Sequence, residues 1–314
     1  AQAMSALQAT KKFGIQPLLE SVSEMLLELK NPDECFKSVQ IAGTNGKTST
    51  SRYTAAFLRE EGLKTALYTS PELVKYTERM EIDGTPVTEE AFGHGIAAAV
   101  AAGKRVNAAR IAAGRRAYDI TEFDLLTVAA LTIFAEAGVD AAVLECGMGG
   151  RWDATSAAKN ITSVAITGIG LDHTRILGNT LEEIAGEKAA IIQRGRSCVL
   201  GVGTATPVSV EEVFLSRAAE QGVVPTLLRA TDVCDVAGEM QEGMVRHHAD
   251  LPCATFVITK HPTRLGFPLE LTVKTPRATH RDLAALKPRY QAANIALALC
   301  LAEDFLDRAL DADK

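Results

Sequence analysis

The sequence predicts an α/β fold: a doubly wound, mainly parallel sheet built around a phosphate-binding loop. Three observations predict it. Strand and helix signals alternate through the first 230 of 314 residues. The strand signals are short continuous apolar runs, the pattern of strands covered on both faces. A glycine-rich turn, Gly43-Thr44-Asn45-Gly46-Lys47-Thr48, lies between an apolar strand at 38–42 and a helix at 49–61.

The turn carries most of the chemistry. Its two glycines let the backbone come close to an anion and aim N–H groups at it, and the helix start adds partial positive charge. Lys47 supplies a full positive charge, and Thr48 places a hydroxyl where it can meet a Mg2+ ion riding on phosphates. The common phosphate loop would have a glycine at Ile41, so the match is to a shortened G-x-x-G-K-T variant. Gly43 through Thr48 are therefore expected to bind a nucleoside triphosphate, ATP, with Mg2+. Gly62 is placed to stop the helix that follows.

The remaining elements follow in order. Residues 65–68 read as a strand ending at Ser70-Pro71. Residues 89–115 read as a helix interrupted by four glycines, and a second helix starts at Thr121. The strand at 141–144 runs into Glu145-Cys146-Gly147-Met148-Gly149-Gly150, and the strand at 162–167 runs into Gly168 and His173. A helix at 181–192 opens on a capping box at Thr180. A strand at 198–201, a helix after Pro207 and a strand at 223–228 complete the alternation. Residues 230–275 break the pattern and predict a small antiparallel addition, with strands at 255–259 and 269–274. A last helix spans 288–305, followed by a polar tail. The phosphate loop, Ser70, Glu145 and His173 all follow strand ends, so they are expected to share one crevice.

Composition excludes several classes. A net charge of −6 supplies no electrostatic reason for a nucleic-acid partner, and no apolar run is long enough to span a membrane. Six cysteines form no C-x-x-C pair, and Cys146 and Cys198 sit in apolar strand runs, which points to reduced thiols and a cytoplasmic protein. Lys11 and Lys12 precede no signal-peptide pattern.

Several residues have two readings. His173 is a phosphate or metal contact, or a structural histidine. Lys188 rises from the apolar face of its helix, marked by Leu181, Ile184 and Ile191. It is either a snorkelling lysine or an amine whose pKa burial lowers. Asp124 either closes a capping box on Thr121 or holds Mg2+, and Ser70 is a turn residue or a metal ligand. Arg151 and Asp153 lie in a glycine-rich run that either is a tight crossing or orients a substrate. Gln291 and Asn294 open the last helix as caps or as ATP contacts, with Asn294 reading an adenine edge.

Taken together, FGIQPLLE, NPDECFKSVQIAGTNGKTST, TSPELVKYTERMEI, TEFD, ECGMGGRWDAT, GLDHTRILG, EEIAGEKAAII and YQAANIALAL resemble, in order, the folylpolyglutamate synthase/dihydrofolate synthase branch of the Mur ligase superfamily. The resemblance covers nearly the whole chain. It implies an ATP- and Mg2+-dependent ligase that joins L-glutamate to a folate or dihydropteroate carboxylate through an acyl phosphate, acting as a cytoplasmic monomer. It implies that Lys188 is carbamylated, that Ser70, His173 and Asp124 hold metal, and that Asn294 contacts adenine. Alternatives are a Mur-type ligase acting on another carboxylate and a nucleotide-binding module without turnover.

Four positions depart from the family pattern. Asp124 stands for glutamate, Glu72 for a frequent histidine, Ser156 for asparagine and Tyr290 for histidine. Nothing matches the family's C-terminal domain. Residues 1–300 are accordingly expected to form the ATP-binding domain and 301–314 the start of a linker.

Overall fold

A computed structural model describes residues 7, 10, 19–202, 207–231, 248, 250–261 and 267–311. The FGIQPLLE piece up to residue 18, Lys11, Lys12 and the 232–247 stretch lie outside the described residues.

The strands are β1 (Lys37–Ala42), β2 (Thr65–Tyr68), β3 (Met80–Ile82), β4 (Thr85–Pro86), β5 (Ala141–Glu145), β6 (Ile161–Ile166), β7 (Ser197–Leu200), β8 (Thr226–Ala230), β9 (Cys253–Lys260), β10 (Leu269–Lys274) and β11 (Thr279–Ala285). Among the described residues they form one sheet, in the order β11-β10-β9-β8-β7-β6-β1-β5-β2-β3-β4. Pairing is parallel from β9 through β2 and antiparallel at both edges. The helices are α1 (Leu19–Glu28), α2 (Lys47–Glu60), α3 (Glu89–Ala112), α4 (Glu122–Ala137), α5 (Thr174–Leu177), α6 (Leu181–Ala189), α7 (Val208–Gln221) and α8 (Gln291–Leu306).

β1 shows why its sequence is apolar without alternation. Val39 and Ile41 point into a core shared with Leu58 of α2 and Leu297 of α8, while Ala42 points into the opposite core, beside Tyr68 and Phe134. A strand with helices on both faces has no solvent side. β1 is also the switch point of the sheet. The chain leaves it toward β2 on one side and later returns to β6 on the other, which opens a crevice at the carboxyl ends of β1, β5 and β6.

Differences from expectation have local causes. α2 begins at Lys47, two residues early, because Gly46 takes a left-handed conformation (φ 91°) and is itself the cap. α3 stops at Ala112, just before Gly114 at φ 71°. The antiparallel addition runs on to Ala285 as β11, a strand whose Arg281 and Asp282 obscure the alternation, and β9 joins the main sheet in parallel with β8. The short hairpin β3–β4 was not foreseen. α8 runs past residue 300 to Leu306. No described helix is long and apolar enough to cross a membrane.

The end of α8 and the residues past it are tied to the body by charge. Arg277 pairs with Asp304 and Asp307, Arg308 with Glu61, and buried His280 meets buried Glu303 at 2.7 Å. Burial pushes the Asp304 carboxyl up to about 6, with Arg277 offsetting part of the shift. A folded pKa above the unfolded value means that this group's contribution is intact near pH 4 and is lost as pH rises through about 6. Asp304→Asn should therefore be more stable than the parent at pH 8, by about 1–3 kcal/mol, and indistinguishable from it near pH 4. Urea melts at the two pH values check this.

Candidate active site

The loop after β1 is held by contacts that only glycine permits. Gly43 lies so close to β6 that a Cβ there would sit 1.7 Å from Thr167 Oγ1, and its φ is 151°. A Cβ on Gly46 would sit 2.4 Å from Asn294 Oδ1 of α8. The N–H groups of Thr44 and Asn45 donate to the Gly168 carbonyl at 2.8 and 3.1 Å, and the Thr44 hydroxyl donates to the Gly170 carbonyl at 3.1 Å. The loop is thus braced by the segment after β6. The first amides of α2 lack carbonyl partners within the helix and carry its positive end. Lys47 folds back over the loop, its Nζ donating to the Gly43 and Thr44 carbonyls at 3.1 Å each.

A carboxylate closes the other side. Glu145 ends β5 opposite Ile41 of β1. Thr48 Oγ1 donates to its Oε1 at 2.8 Å, and the Ser70 N–H points at its Oε2 from 3.4 Å. Burial pushes Glu145 up to about 7, against the lowering effect of the Thr48 hydrogen bond and the Lys47 charge. Sequence reasoning placed Glu145 in the crevice without giving it a role. The signal was a charged residue ending an otherwise apolar strand.

Asp124 sits at the start of α4. Its Oδ2 accepts from the Thr121 N–H at 2.9 Å, while its own N–H donates to Thr121 Oγ1 at 3.1 Å. This is the capping box of α4. Its bonds are to its own helix start, and burial raises its pKa. The carboxylate that meets Thr48 and Ser70 is Glu145.

Lys188 of α6 is buried, and its Nζ donates to the Gly43 carbonyl at 2.8 Å, the same oxygen that Lys47 uses. Burial and the Lys47 charge lower its pKa to about 8. It is neither snorkelling nor paired with a helix carboxylate. His173 sits in a left-handed conformation (φ 49°) at the start of α5, half exposed, 3.7 Å from Asp172. It belongs to the segment whose Gly168 and Gly170 carbonyls brace the phosphate loop.

Arg151 and Asp153 both lie in the loop after β5. Arg151 pairs with Glu187 of α6 at 3.0 Å, and its N–H donates to the Glu187 carbonyl. Asp153 is buried and accepts from Met148 N–H, Thr155 N–H and Thr155 Oγ1. These bonds order the loop after β5 and leave the carboxylate of Asp153 committed. At α8, Gln291 Nε2 donates to Ser49 Oγ at 3.2 Å and Asn294 Nδ2 donates to Gln291 Oε1 at 2.9 Å. The pair thus lies against the phosphate loop and the first turn of α2.

Among the described residues no group of three or more His, Cys, Asp or Glu could hold a metal. The oxygen donors of Thr48 and Glu145, with the Ser70 backbone beside them, fit a hard cation such as Mg2+, of the sort shared with phosphate oxygens instead of being caged by protein.

Sheet, crevice and loop define a doubly wound α/β domain with a glycine-rich loop at a helix N-terminus, a geometry suited to phosphate. Residues 41–206 match the Mur ligase middle domain, and the chain belongs to that family. A probable bifunctional folylpolyglutamate synthase/dihydropteroate synthase of Haloferax volcanii is 41% identical over 67% of this chain and 24% of its own length. A dihydrofolate synthase/folylpolyglutamate synthase of Bacillus subtilis is 36% identical over 64% of this chain and 45% of its own. The chain thus spans less than half the length of either curated relative. A Mycobacterium tuberculosis folylpolyglutamate synthase, solved with ADP and AMPPCP, superposes with a TM-score of 0.80 at 29% identity, covering 99% of this chain and 63% of that one. The resemblance drawn from the sequence motifs agrees with these relatives.

The glycine geometry is testable by contrast. Gly43→Ala must move Thr167 and should cost about 2–4 kcal/mol. Gly62→Ala, at φ 95° with nothing within 4 Å of the added methyl, should cost only about 1–2 kcal/mol of backbone strain. Thermal melts of the two variants give the comparison; equal losses would contradict the close approach of Gly43 to β6.

Proposed function

We propose that this chain is the nucleotide-binding part of an ATP-dependent ligase. The ligase joins L-glutamate to a folate or dihydropteroate carboxylate and works as a cytoplasmic monomer. One observation carries the nucleotide half of this reading: Thr48 and Ser70 converge on Glu145 beside the Lys47 loop. The names of the relatives support the ligase half.

In this reading a carboxylate oxygen of the acceptor attacks the γ-phosphorus of ATP and ADP leaves. The amine of glutamate then attacks the acyl carbon of the acyl phosphate, and phosphate departs. Lys47 and the α2 amides spread the charge of the transferring phosphoryl group. Thr48, Glu145 and Ser70, with His173 on the adjoining loop, would hold Mg2+, which neutralises phosphate charge when bound. Gln291 and Asn294 would flank the nucleotide. Acceptor with 18O in its carboxylate should deliver one 18O to the released phosphate; phosphate free of label would contradict the acyl-phosphate route.

Two variants probe the nucleotide site by calorimetry. Lys47→Ala should weaken AMPPCP–Mg2+ binding about a hundredfold, from the loss of charge-assisted hydrogen bonds. Glu145→Gln should remove most of the Mg2+ dependence while nucleotide alone still binds. Parent-like affinity in the first variant would remove the phosphate-loop reading.

Lys188 is proposed as a carbamate acceptor. With its pKa lowered to about 8, the neutral amine that reacts with CO2 is well populated at pH 8 and scarce at pH 6.5. Carbon-13 NMR in labelled bicarbonate should show a carbamate signal at pH 8 that fades at pH 6.5 and is missing in Lys188→Arg. An unchanged spectrum in that variant would assign the signal elsewhere.

A further inference from the structure

A basic shelf stands on the crevice side of the sheet, and the nucleotide site makes no use of it. Residues 104–116 contain Lys104, Arg105, Arg110, Arg115 and Arg116 and no acidic residue. Their position follows from how α3 packs. α3 runs antiparallel to α4: His94 near its start meets Glu136 near the end of α4 at 3.1 Å, and Gly95 lies against Ile133. By Gly103 the helix is already level with Ile120, just before the Thr121 cap of α4. That end of α4 is at the crevice, because the Phe123 ring lies under Gly147, two residues past β5. The last nine residues of α3 therefore rise about 13 Å beyond the cap of α4. They carry the cations past the carboxyl edge of the sheet, on the face that holds α1, α3 and α4.

The shelf is built, not merely charged. Arg110, only 15% exposed, pairs with Glu24, stacks on the Tyr118 ring at 3.6 Å and donates from Nε to the Arg116 carbonyl at 3.0 Å. Asn107 brackets Tyr118 through both its N–H (2.7 Å) and its carbonyl (3.1 Å). These bonds fix the turn that follows α3. Arg105 is taken up by Glu28 of α1. Lys104, Arg115 and Arg116 are exposed and have no ion pair among the described residues. Three exposed cations on a braced scaffold, outnumbering the nearest carboxylate in the sequence, Asp119, make a local anion surface on a chain of net charge −6.

We propose that this shelf binds a chain of γ-linked glutamates, holding the carboxylates of an already glutamylated substrate beside the crevice. The proposal rests on the ligase reading above. Each round of that reaction adds one carboxylate to the acceptor, so its later substrates are short polyanions of variable length. Spaced, exposed cations suit such a tail better than a buried clamp, which would fix one length. A nucleic acid fits less well: the one aromatic ring on the shelf, Tyr118, is covered by Arg110, leaving no stacking platform.

The test uses the 314-residue chain and a fluorescent γ-linked pentaglutamate, with γ-linked diglutamate for comparison, read by anisotropy at low and physiological salt. The pentamer should bind more tightly than the dimer, and its affinity should fall as salt rises. The triple variant Lys104→Gln/Arg115→Gln/Arg116→Gln should lose about tenfold in pentamer affinity at low salt, with its melting temperature unchanged. Equal pentamer affinity in parent and variant would overturn the proposal. So would tighter binding of a ten-nucleotide single-stranded DNA than of the pentamer. AMPPCP–Mg2+ binding, measured separately, tells the two readings apart. Nucleotide binding without pentamer binding removes the shelf and keeps the ligase reading; pentamer binding by a chain that does not bind AMPPCP–Mg2+ does the reverse.

Discussion

Gly43 is the residue on which the site depends. With no side chain it lets the chain leave β1 pressed against Thr167, just past β6, and this presents the Gly43 carbonyl to the interior of the crevice. Two ammonium groups, from Lys47 on α2 and Lys188 on α6, converge on that one oxygen. Elements far apart in sequence are thereby tied to one backbone atom. A side chain at this position would have to displace Thr167 and disturb that convergence.

The electrostatics follow from the same convergence. Two like charges share one acceptor in a poorly solvated place, and the more buried of them, Lys188, loses affinity for its proton. On the opposite side Glu145 is raised by burial although Thr48 and Lys47 favour its charge. The site therefore holds a lysine and a glutamate that are both displaced toward neutrality near pH 7 to 8. A triphosphate with its counterion is the kind of ligand that would reverse both shifts, drawing the lysines toward phosphate and charging the carboxylate.

How much of this was readable from sequence depends on range. The phosphate loop, the helix it opens, β2 and the capping boxes are local patterns, and they emerged within two residues of expectation. Asp124 shows the limit. The T-x-x-D spacing announced a capping box, which forms, while the metal role came from the family resemblance and not from the spacing. Glu145 meets Thr48 because β5 runs beside β1 and brings residue 145 opposite residue 41, a pairing that no local window contains. The burial of Asp153 is equally nonlocal, as is the pairing of Arg151 with Glu187. β11 was missed because an exposed edge strand with Arg281 and Asp282 lacks the alternation that marks a strand with one buried face.

The central claim is that this crevice holds a nucleoside triphosphate and its cation between the Gly43–Thr48 turn and Glu145. A crystal structure of the chain with AMPPCP and Mg2+ tests it most directly. The account predicts phosphate oxygens on the α2 amides and Lys47, with the ion touching Thr48 and Glu145 and the Asp124 carboxylate still on the Thr121 N–H. An ion bound to Asp124 with Glu145 left on Thr48, or phosphates placed away from the 43–48 turn, would contradict it.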